Sequence, residues 1–286
     1  MTDISYPTPD YLSLPCQPEH WLIEGIVTIG GAFSMFGAPK VGKSYLALQL
    51  AGAVAGEADQ WMDFNVKSTG LVLYVQLDMP RSLWQREHLT IMRHAGYTLE
   101  SVLHMDRQTL GEAWPLNIFD DEAQDLLAGE VALYQPSLVI IDTLRRVFRG
   151  DENDSDTMQR ALDTLQKTVA PAALGVVGHS KKPNMDTGSD VIHDQRGSTA
   201  VPGAVDTLIQ CRKRSLGLAG RAIEEQIIKT ERTPYLWQRR EVDLDAHIKV
   251  VLEDHALTSL RERARALAER TGRTEEACRS LLRRKR

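Results

Sequence analysis

The 286-residue chain is long enough for one α/β domain of roughly 200–250 residues and a smaller appendage, and its 42% hydrophobic and 26% charged content is ordinary for a globular protein. Cys16, Cys211 and Cys278 are too widely spaced for a zinc or disulfide framework, no apolar run reaches the roughly 18 residues of a membrane span, and the chain does not start with a signal-peptide pattern. We therefore expect a cytoplasmic protein with no membrane partner. The formal net charge is −5, yet residues 261–286 carry ten lysines and arginines against four glutamates, which indicates either a polyanionic or acidic partner or a solvated helical tail.

The chain begins with an irregular arm, two predicted strands and a helix. Four prolines in residues 1–20 predict irregular structure, and Trp21 to Gly25 leads into a predicted edge strand at 26–29. The apolar run from Ala32 to Phe36 is typical of a short buried strand. The small and apolar residues from Tyr45 to Gly56 predict a buried helix.

The segment between this strand and this helix carries a phosphate-binding motif. It reads Gly37-Ala38-Pro39-Lys40-Val41-Gly42-Lys43-Ser44 and fits the P-loop pattern of Gly, four residues and Gly-Lys-Ser. In such a loop, backbone N–H groups and the helix N-terminus surround phosphate oxygens. The eight residues and the adjacent Tyr45 are therefore predicted to bind ATP. We expect Lys43 to contact the β- and γ-phosphates as a catalytic residue, and the Ser44 hydroxyl to bind Mg²⁺.

Three polar residues follow three predicted buried strands, at 71–75, 138–141 and 174–178. In a P-loop fold the carboxyl ends of the strands line the nucleotide site, so these residues are expected there. Asp142 is predicted to hold Mg²⁺ through water, Asp78 to deprotonate the attacking water, and His179 to hydrogen-bond the γ-phosphate. A capping aspartate and a hydrogen-bonded core histidine are the structural alternatives.

Helices and weaker strands are predicted around these buried strands. We expect helices at 81–95, 120–133 and 157–169, and strands at 103–105, 204–211 and 225–228. This alternation predicts a doubly wound, largely parallel sheet flanked by helices. The segments 57–69 and 180–195 have no clear period and are predicted to be loops.

The last 30 residues predict a small helical appendage. Two short helices are separated at Gly272, which is a good helix stop. They could be part of a helix-turn-helix that reads DNA, or they could serve packing or oligomer contacts. We therefore divide the chain into an arm at 1–20, an ATPase domain at 21–250 and a basic C-terminal helical segment at 251–286.

The order of these motifs resembles the RecA-like AAA ATPases related to RepA-type hexameric plasmid and phage replicative helicases. The segments that carry the resemblance are Trp21 to Gly25, Gly37 to Ser44, Val72 to Asp78, Ile141 to Leu144, Gly150 to Asn153, His179 to Lys182, and Arg196 to Ala200 followed by Asp206. The resemblance implies a RecA-like P-loop core with a largely parallel central sheet. It also implies ATP and Mg²⁺ as cofactors, and a homo-oligomer in the form of a hexameric ring with nucleotide between adjacent subunits.

Two positions depart from the pattern of that family. The family's catalytic carboxylate is usually Glu, whereas Asp78 is shorter by one methylene. The family's Lys-x-Arg on a late strand reaches the γ-phosphate of the neighbouring subunit, but this chain has one more residue between Lys229 and Arg232. Such a cation stabilises charge on the transferring phosphoryl group. The trans-acting residue is therefore open between Arg232, Lys229 and Arg212.

Two loops with cationic side chains follow the strands that end at Asp142 and His179. The first contains Arg145, Arg146 and Arg149, and the second begins Lys181-Lys182. Cations close to the γ-phosphate suit a channel for single-stranded DNA, because phosphate contacts dominate non-specific binding. The alternative for each of them is an ion pair with the acidic run 151–156.

These inferences predict an ATP-driven ring motor on single-stranded DNA, which is a replicative-type helicase or translocase with replication proteins as further partners. The main alternative is a RecA- or RadA-like recombination or loader ATPase that binds DNA without unwinding it. A P-loop kinase and a nucleotide-sensing regulator are the remaining classes.

Overall fold

The computed structural model describes residues 20–152, 154–179, 200–232, 236–239, 244–254, 257, 259–271 and 275–284. The described strands are β1 (Trp21–Ile23), β2 (Val27–Thr28), β3 (Ala32–Gly37), β4 (Gln60–Trp61), β5 (Phe64–Asn65), β6 (Val72–Gln76), β7 (Val102–Asp106), β8 (Leu138–Asp142), β9 (Ala173–His179), β10 (Thr207–Arg212), β11 (Ser215–Gly220), β12 (Gln226–Arg232) and β13 (Trp237–Arg239). The described α-helices are α1 (Lys43–Gly52), α2 (Arg81–Trp84), α3 (Thr90–His94), α4 (Arg107–Leu110), α5 (Asp121–Tyr134), α6 (Ser155–Val169), α7 (Ala200–Ala204), α8 (Leu244–Glu253), α9 (Leu260–Thr271) and α10 (Glu275–Arg284).

Nine strands form one central sheet in the order β13-β12-β11-β10-β3-β9-β8-β6-β7. The six strands from β10 to β7 in this order run parallel, and β11, β12 and β13 extend the sheet as antiparallel neighbours. This arrangement confirms the predicted α/β fold with a largely parallel sheet flanked by helices.

The central strands are buried because helices cover both faces of the sheet. Every residue of β3, β6 and β8 is buried. Alternate residues face opposite sides, so that Tyr74 joins the apolar cluster with α1 while Leu73 and Val75 join the cluster with α5 and α6. Continuous apolar runs in the sequence are therefore explained by burial on two faces.

Four local predictions differ from the structure. The predicted edge strand at 26–29 pairs with β1 in a separate two-stranded hairpin, and the predicted loop at 57–69 contains the short hairpin β4–β5. The strand predicted from residue 204 begins at Thr207, because residues 200–204 form α7 and the Asp206 carboxylate accepts a hydrogen bond from the Ala32 N–H at 2.9 Å. The helix predicted from residue 157 starts at Ser155, because Asp154 accepts a hydrogen bond from the Thr157 N–H and caps it.

The C-terminal helices α8, α9 and α10 have an apolar cluster of their own. Its buried members are Ile248, Val251, Ala264, Leu267, Cys278 and Leu282. Helix α8 crosses the expected boundary at residue 250 and contributes to this cluster, while Gly272 and the arm at 1–19 lie outside the described residues. The division into three parts stays a prediction. Among the described helices, none combines the length and the hydropathy that a membrane span requires.

The first residue of the P-loop has no room for a side chain. A Cβ on Gly37 would overlap the carbonyl oxygen of Cys211 in β10 and lie 3.1 Å from the Cys211 Cβ. We expect Gly37→Ala to lower the free energy of unfolding by about 2–3 kcal/mol, because β3 and β10 would have to separate. Urea denaturation followed by circular dichroism measures this change. Gly129→Ala in α5 is the matched control, since its Cβ would meet nothing within 4 Å. That control should instead gain up to about 1 kcal/mol from helix propensity, and equal losses in the two variants would contradict the steric argument.

Candidate functional site

A cavity of about 470 Å³ opens at the carboxyl ends of the parallel strands. It brings together five residues that the sequence predicts to act on nucleotide, Lys43, Ser44, Asp78, Asp142 and His179. They meet because Asp142 and His179 end β8 and β9, and Asp78 follows β6 by two residues. A larger groove, about 810 Å³, lies between α5 and α6 at the opposite edge of the sheet and contains none of these residues.

The P-loop has the backbone conformation that the motif requires. Lys40 and Gly42 have left-handed φ angles of 62° and 102°, and Gly42 precedes the first turn of α1. The Lys43 ammonium donates hydrogen bonds to the Gly37 and Ala38 carbonyl oxygens at 3.1 and 3.0 Å. It also lies 3.5 Å from Nδ1 of His179. The ammonium is therefore held inside the loop at the floor of the cavity.

The charge of Lys43 depends on two opposing effects. Burial lowers the pKa of the Lys43 ammonium, whereas Cys211, Asp142 and Asp78 act in the opposite direction. Burial also raises the pKa of the Cys211 thiol to about 12, so this thiol is neutral at pH 7. The carboxylates of Asp142 and Asp78 are consequently the charges that favour a protonated Lys43.

Asp142 is a buried carboxylate with polar partners. The Tyr74 hydroxyl donates a hydrogen bond to its Oδ2 at 2.8 Å. Burial raises the pKa of Asp142, while hydrogen bonds from Ser44 and Tyr74 and the charge of Lys43 lower it. The carboxylate thus lies beside the P-loop serine, as a magnesium-binding role requires.

Asp78 lies at the mouth of the cavity and is about half exposed. Its backbone carbonyl accepts a hydrogen bond from Arg107 Nη2 at 2.9 Å. Its Oδ1 accepts hydrogen bonds from Nε and Nη2 of Arg146 at 3.3 and 3.2 Å. The side chain predicted as general base is therefore in an ion pair with the loop after β8.

One wall of the cavity is aromatic, and nothing in the sequence pattern indicates it. The rings of Tyr45 and His88 stack with centroids 4.2 Å apart, and His88 stacks on Trp84 at 4.6 Å. Trp84 in turn packs against Tyr74, with ring centroids 5.2 Å apart. The stack connects the start of α1 to the tyrosine that contacts Asp142.

The segment after β6 supplies further cavity residues that sequence reasoning missed. Met79, Leu83, Glu87 and His88 all line the cavity. The sequence predicts a helix at 81–95, but its pattern does not show which face of the helix approaches the P-loop. Glu87 is important because it is a second carboxylate in the same cavity as Asp78.

The predicted DNA-binding cations have different surroundings. Arg145 lies 4.0 Å from a Glu152 carboxylate oxygen, which is the predicted pairing with the acidic run, and it donates a hydrogen bond to the Phe148 carbonyl oxygen at 3.2 Å. Arg146 contacts Asp78 instead, and the exposed Arg149 has its backbone N–H on the Asn117 amide oxygen at 3.2 Å. Lys181 and Lys182 lie outside the described residues.

The register of the antiparallel strands locates the candidate trans-acting cations. Cys211 pairs with Gly37, and the next residue, Arg212, pairs with Ser215, which in turn pairs with Lys229. Arg212 and Lys229 therefore lie at the same sheet edge as the start of the P-loop. The backbone of Arg232 lies three residues further along β12 and pairs with Trp237.

Trp237 connects the last strand to the P-loop helix. Its backbone N–H and carbonyl form hydrogen bonds of 3.0 and 2.8 Å with the side-chain amide of buried Gln49. Its indole N–H donates to the Gly42 carbonyl oxygen at 3.2 Å. The strand pair β12–β13, which includes two of the candidate cations, is thereby attached to the P-loop.

The residues present fit a magnesium ion that arrives with nucleotide. Within the described ranges, no group of three or more His, Cys, Asp or Glu side chains could hold a metal by itself. Mg²⁺ is usually bound by one or two protein oxygens together with substrate phosphates and water. Ser44 and Asp142 supply such oxygens beside the P-loop.

We expect Tyr74→Phe to lower the free energy of unfolding by about 1.5–3 kcal/mol at pH 7, because it removes a hydrogen bond to a buried carboxylate. Urea denaturation measures this loss. Tyr134→Phe on the exposed surface of α5 is the control and should have no measurable effect. If Tyr74→Phe were as stable as the wild type, the contact with Asp142 would contribute nothing.

Comparisons with known proteins agree with this geometry. The solved ATPase domain of a helicase matches with a TM-score of 0.53 at 10% sequence identity, over 74% of this chain and 85% of that one. A KaiC-like protein, PH0186 from the hyperthermophilic archaeon Pyrococcus horikoshii OT3, matches with a TM-score of 0.50 at 11% identity, over 77% of this chain and 94% of that one. At such identities the likeness concerns the fold. The AAA domain family model matches residues 7–185. The chain therefore belongs to the AAA domain family, and its fold is that of the RecA-like P-loop ATPases.

Proposed function

We propose that this chain is an ATP-hydrolysing ring motor that acts on single-stranded DNA, as a replicative-type helicase or translocase. The observation that carries the proposal is the meeting of Lys43, Ser44, Asp78 and Asp142 in one cavity. The arginine-bearing turn at 144–146 follows β8 at the same edge of the sheet. A nucleotide-hydrolysing centre and a cationic loop are thus adjacent.

The cavity residues divide the work of hydrolysis among them. The P-loop N–H groups and Lys43 bind the β- and γ-phosphates, while Ser44 and, through water, Asp142 hold Mg²⁺, which when bound neutralises phosphate charge. Asp78 accepts a proton from water as the water oxygen bonds to the γ-phosphorus. The bond from the γ-phosphorus to the β–γ bridging oxygen breaks, and ADP and inorganic phosphate are formed. His179 hydrogen-bonds the γ-phosphate and reports its loss to the following loop.

A ring would complete the site with a cation from the neighbouring subunit. The location of Arg212 and Lys229 at the sheet edge of the P-loop, together with the position of Arg232 on the same strand as Lys229, supports a trans-acting role for one of them. Size-exclusion chromatography with light scattering tests this, with and without a non-hydrolysable ATP analogue and an oligonucleotide. A hexamer is expected with the analogue, whereas a monomer under all conditions would contradict the ring.

Two measurements separate the motor from its alternatives. Stimulation of ATP turnover by a single-stranded oligonucleotide is expected of a DNA-dependent ATPase, and displacement of one strand from a forked duplex is expected of a helicase. Stimulation without displacement would support a recombination or loader ATPase instead. No stimulation and no DNA binding would rule out both.

The cationic loops should determine the salt dependence of DNA binding. Neutralising Arg145, Arg146, Lys181 and Lys182 together should reduce the slope of log K against log salt by up to about 3, since each phosphate contact on a single strand contributes roughly 0.7. Fluorescence anisotropy of a labelled oligonucleotide between low and moderate salt measures this slope. The comparison variant neutralises four arginines of the basic segment at 261–286. If that variant loses the slope and the loop variant keeps it, the C-terminus is the DNA-binding region.

A further inference from the structure

The ion pair between Arg146 and Asp78 joins the two parts of the proposed motor. Arg146 belongs to the cationic turn after β8, and Asp78 follows β6, which is the neighbour of β8 in the sheet. Two guanidinium nitrogens of Arg146 lie 3.3 and 3.2 Å from one oxygen, Oδ1 of Asp78. That oxygen already accepts hydrogen bonds, so it is not available to accept a proton from water.

The backbone at Asp78 is held separately from its carboxylate. Arg107 donates to the Leu77 carbonyl oxygen at 2.6 Å and to the Asp78 carbonyl oxygen at 2.9 Å. Arg107 is itself stacked on Trp114, with its guanidinium carbon 4.9 Å from the ring centroid. Loss of the Arg146 contact would therefore release the carboxylate of Asp78 and leave its backbone in place.

The ion pair is weak enough to respond to a ligand. The side chains of Arg146 and Asp78 are each 48% exposed, and exposed ion pairs contribute only about 0–1 kcal/mol. A guanidinium also binds a phosphate group with favourable two-point geometry. A DNA phosphate can thus compete with Asp78 for Arg146.

We propose that Arg146 is a positioning residue for Asp78, which holds the carboxylate away from the attacking water until single-stranded DNA takes the guanidinium. DNA binding then releases Asp78 and raises the rate of ATP hydrolysis. The inference rests on the proposed function, because it needs Asp78 as general base and single-stranded DNA as ligand. It adds the residue through which the DNA acts.

Reciprocity gives the inference a second consequence that does not depend on catalysis. If DNA weakens the hold of Arg146 on Asp78, the loss of the Asp78 carboxylate must strengthen the binding of DNA by the same factor. The variant Asp78→Asn should accordingly bind DNA more tightly, although it hydrolyses ATP slowly. In an Arg146→Gln background, Asp78→Asn should leave DNA affinity unchanged. A general effect of removing one negative charge would persist in both backgrounds.

The first experiment measures ATP turnover without DNA. Arg146→Gln should raise the DNA-free kcat by about two- to fivefold, the range expected for loss of an exposed ion pair. It should also reduce the stimulation by a poly(dT) oligonucleotide. Arg146→Lys keeps a positive charge and should retain the low DNA-free rate. Lys67→Gln is the matched control, because it breaks a surface pair with Glu24 of similar length and exposure and should leave the rate unchanged.

The second experiment measures binding of labelled poly(dT) by anisotropy, with a non-hydrolysable ATP analogue present. Asp78→Asn should increase affinity about two- to fivefold in the wild-type background and leave it unchanged with Arg146→Gln. An unchanged or lower DNA-free rate of Arg146→Gln, or equal effects of Asp78→Asn in the two backgrounds, would overturn the role of Arg146 while a DNA-stimulated wild type keeps the proposed function. A wild type that neither binds DNA nor is stimulated by it would overturn the proposed function, and the DNA-dependent release with it.

Discussion

Lys43→Ala should weaken ATP binding by about a thousandfold, which is the largest effect that we expect of a single substitution. An ammonium about 4 Å from a phosphate charge contributes roughly 4 kcal/mol at an effective dielectric constant near 20, and every 1.4 kcal/mol is a factor of ten in affinity. The Lys43 ammonium already lies within the P-loop, on the Gly37 and Ala38 carbonyl oxygens. Titration with a fluorescent ATP analogue measures the loss.

Loss of binding must be separated from loss of folding. Lys43 is 8% exposed, and burial disfavours its charge, so its removal should change the urea midpoint only slightly. Lys67→Ala removes an ammonium from a surface ion pair with Glu24 and should leave nucleotide binding intact. If Lys43→Ala turned over ATP at the wild-type rate, the P-loop could not be the nucleotide site.

Asp78→Asn should keep nucleotide binding and slow hydrolysis by about 10²–10⁴-fold, which is the usual contribution of general base catalysis. The amide is nearly isosteric with the carboxylate but cannot take the proton of the attacking water. Single-turnover hydrolysis of radiolabelled ATP measures the chemical step separately from binding. Asp78→Glu, which restores the residue usual in the resembling family, should retain much of the activity.

The second carboxylate of the cavity provides the decisive comparison. Glu87 lines the same cavity as Asp78, and it lies on the segment after β6. Glu87→Gln should affect hydrolysis much less than Asp78→Asn. The reverse order would identify Glu87 as the general base and would remove Asp78 from the mechanism.

The features that the sequence determined are local or repeat along one element. The P-loop is eight consecutive residues, and its strand and helix lie directly before and after it. Strands β6, β8 and β9 were predictable because a strand buried on both faces must be apolar without interruption. Once the strands are parallel, their carboxyl ends share one edge, so the meeting of Lys43, Asp142 and His179 follows from the same pattern.

Only the tertiary structure decided which distant side chains touch at that edge. The contacts of Asp78 with Arg146 and of Tyr74 with Asp142 each join residues 68 positions apart, and they depend on the adjacency of β6 and β8 in the sheet. The strands β11 and β13 were not predicted either, because short antiparallel edge strands lack the long apolar runs of buried ones. Sequence periodicity specifies whether an element is buried, whereas strand order specifies its neighbours, and strand order is set by packing of the whole sheet.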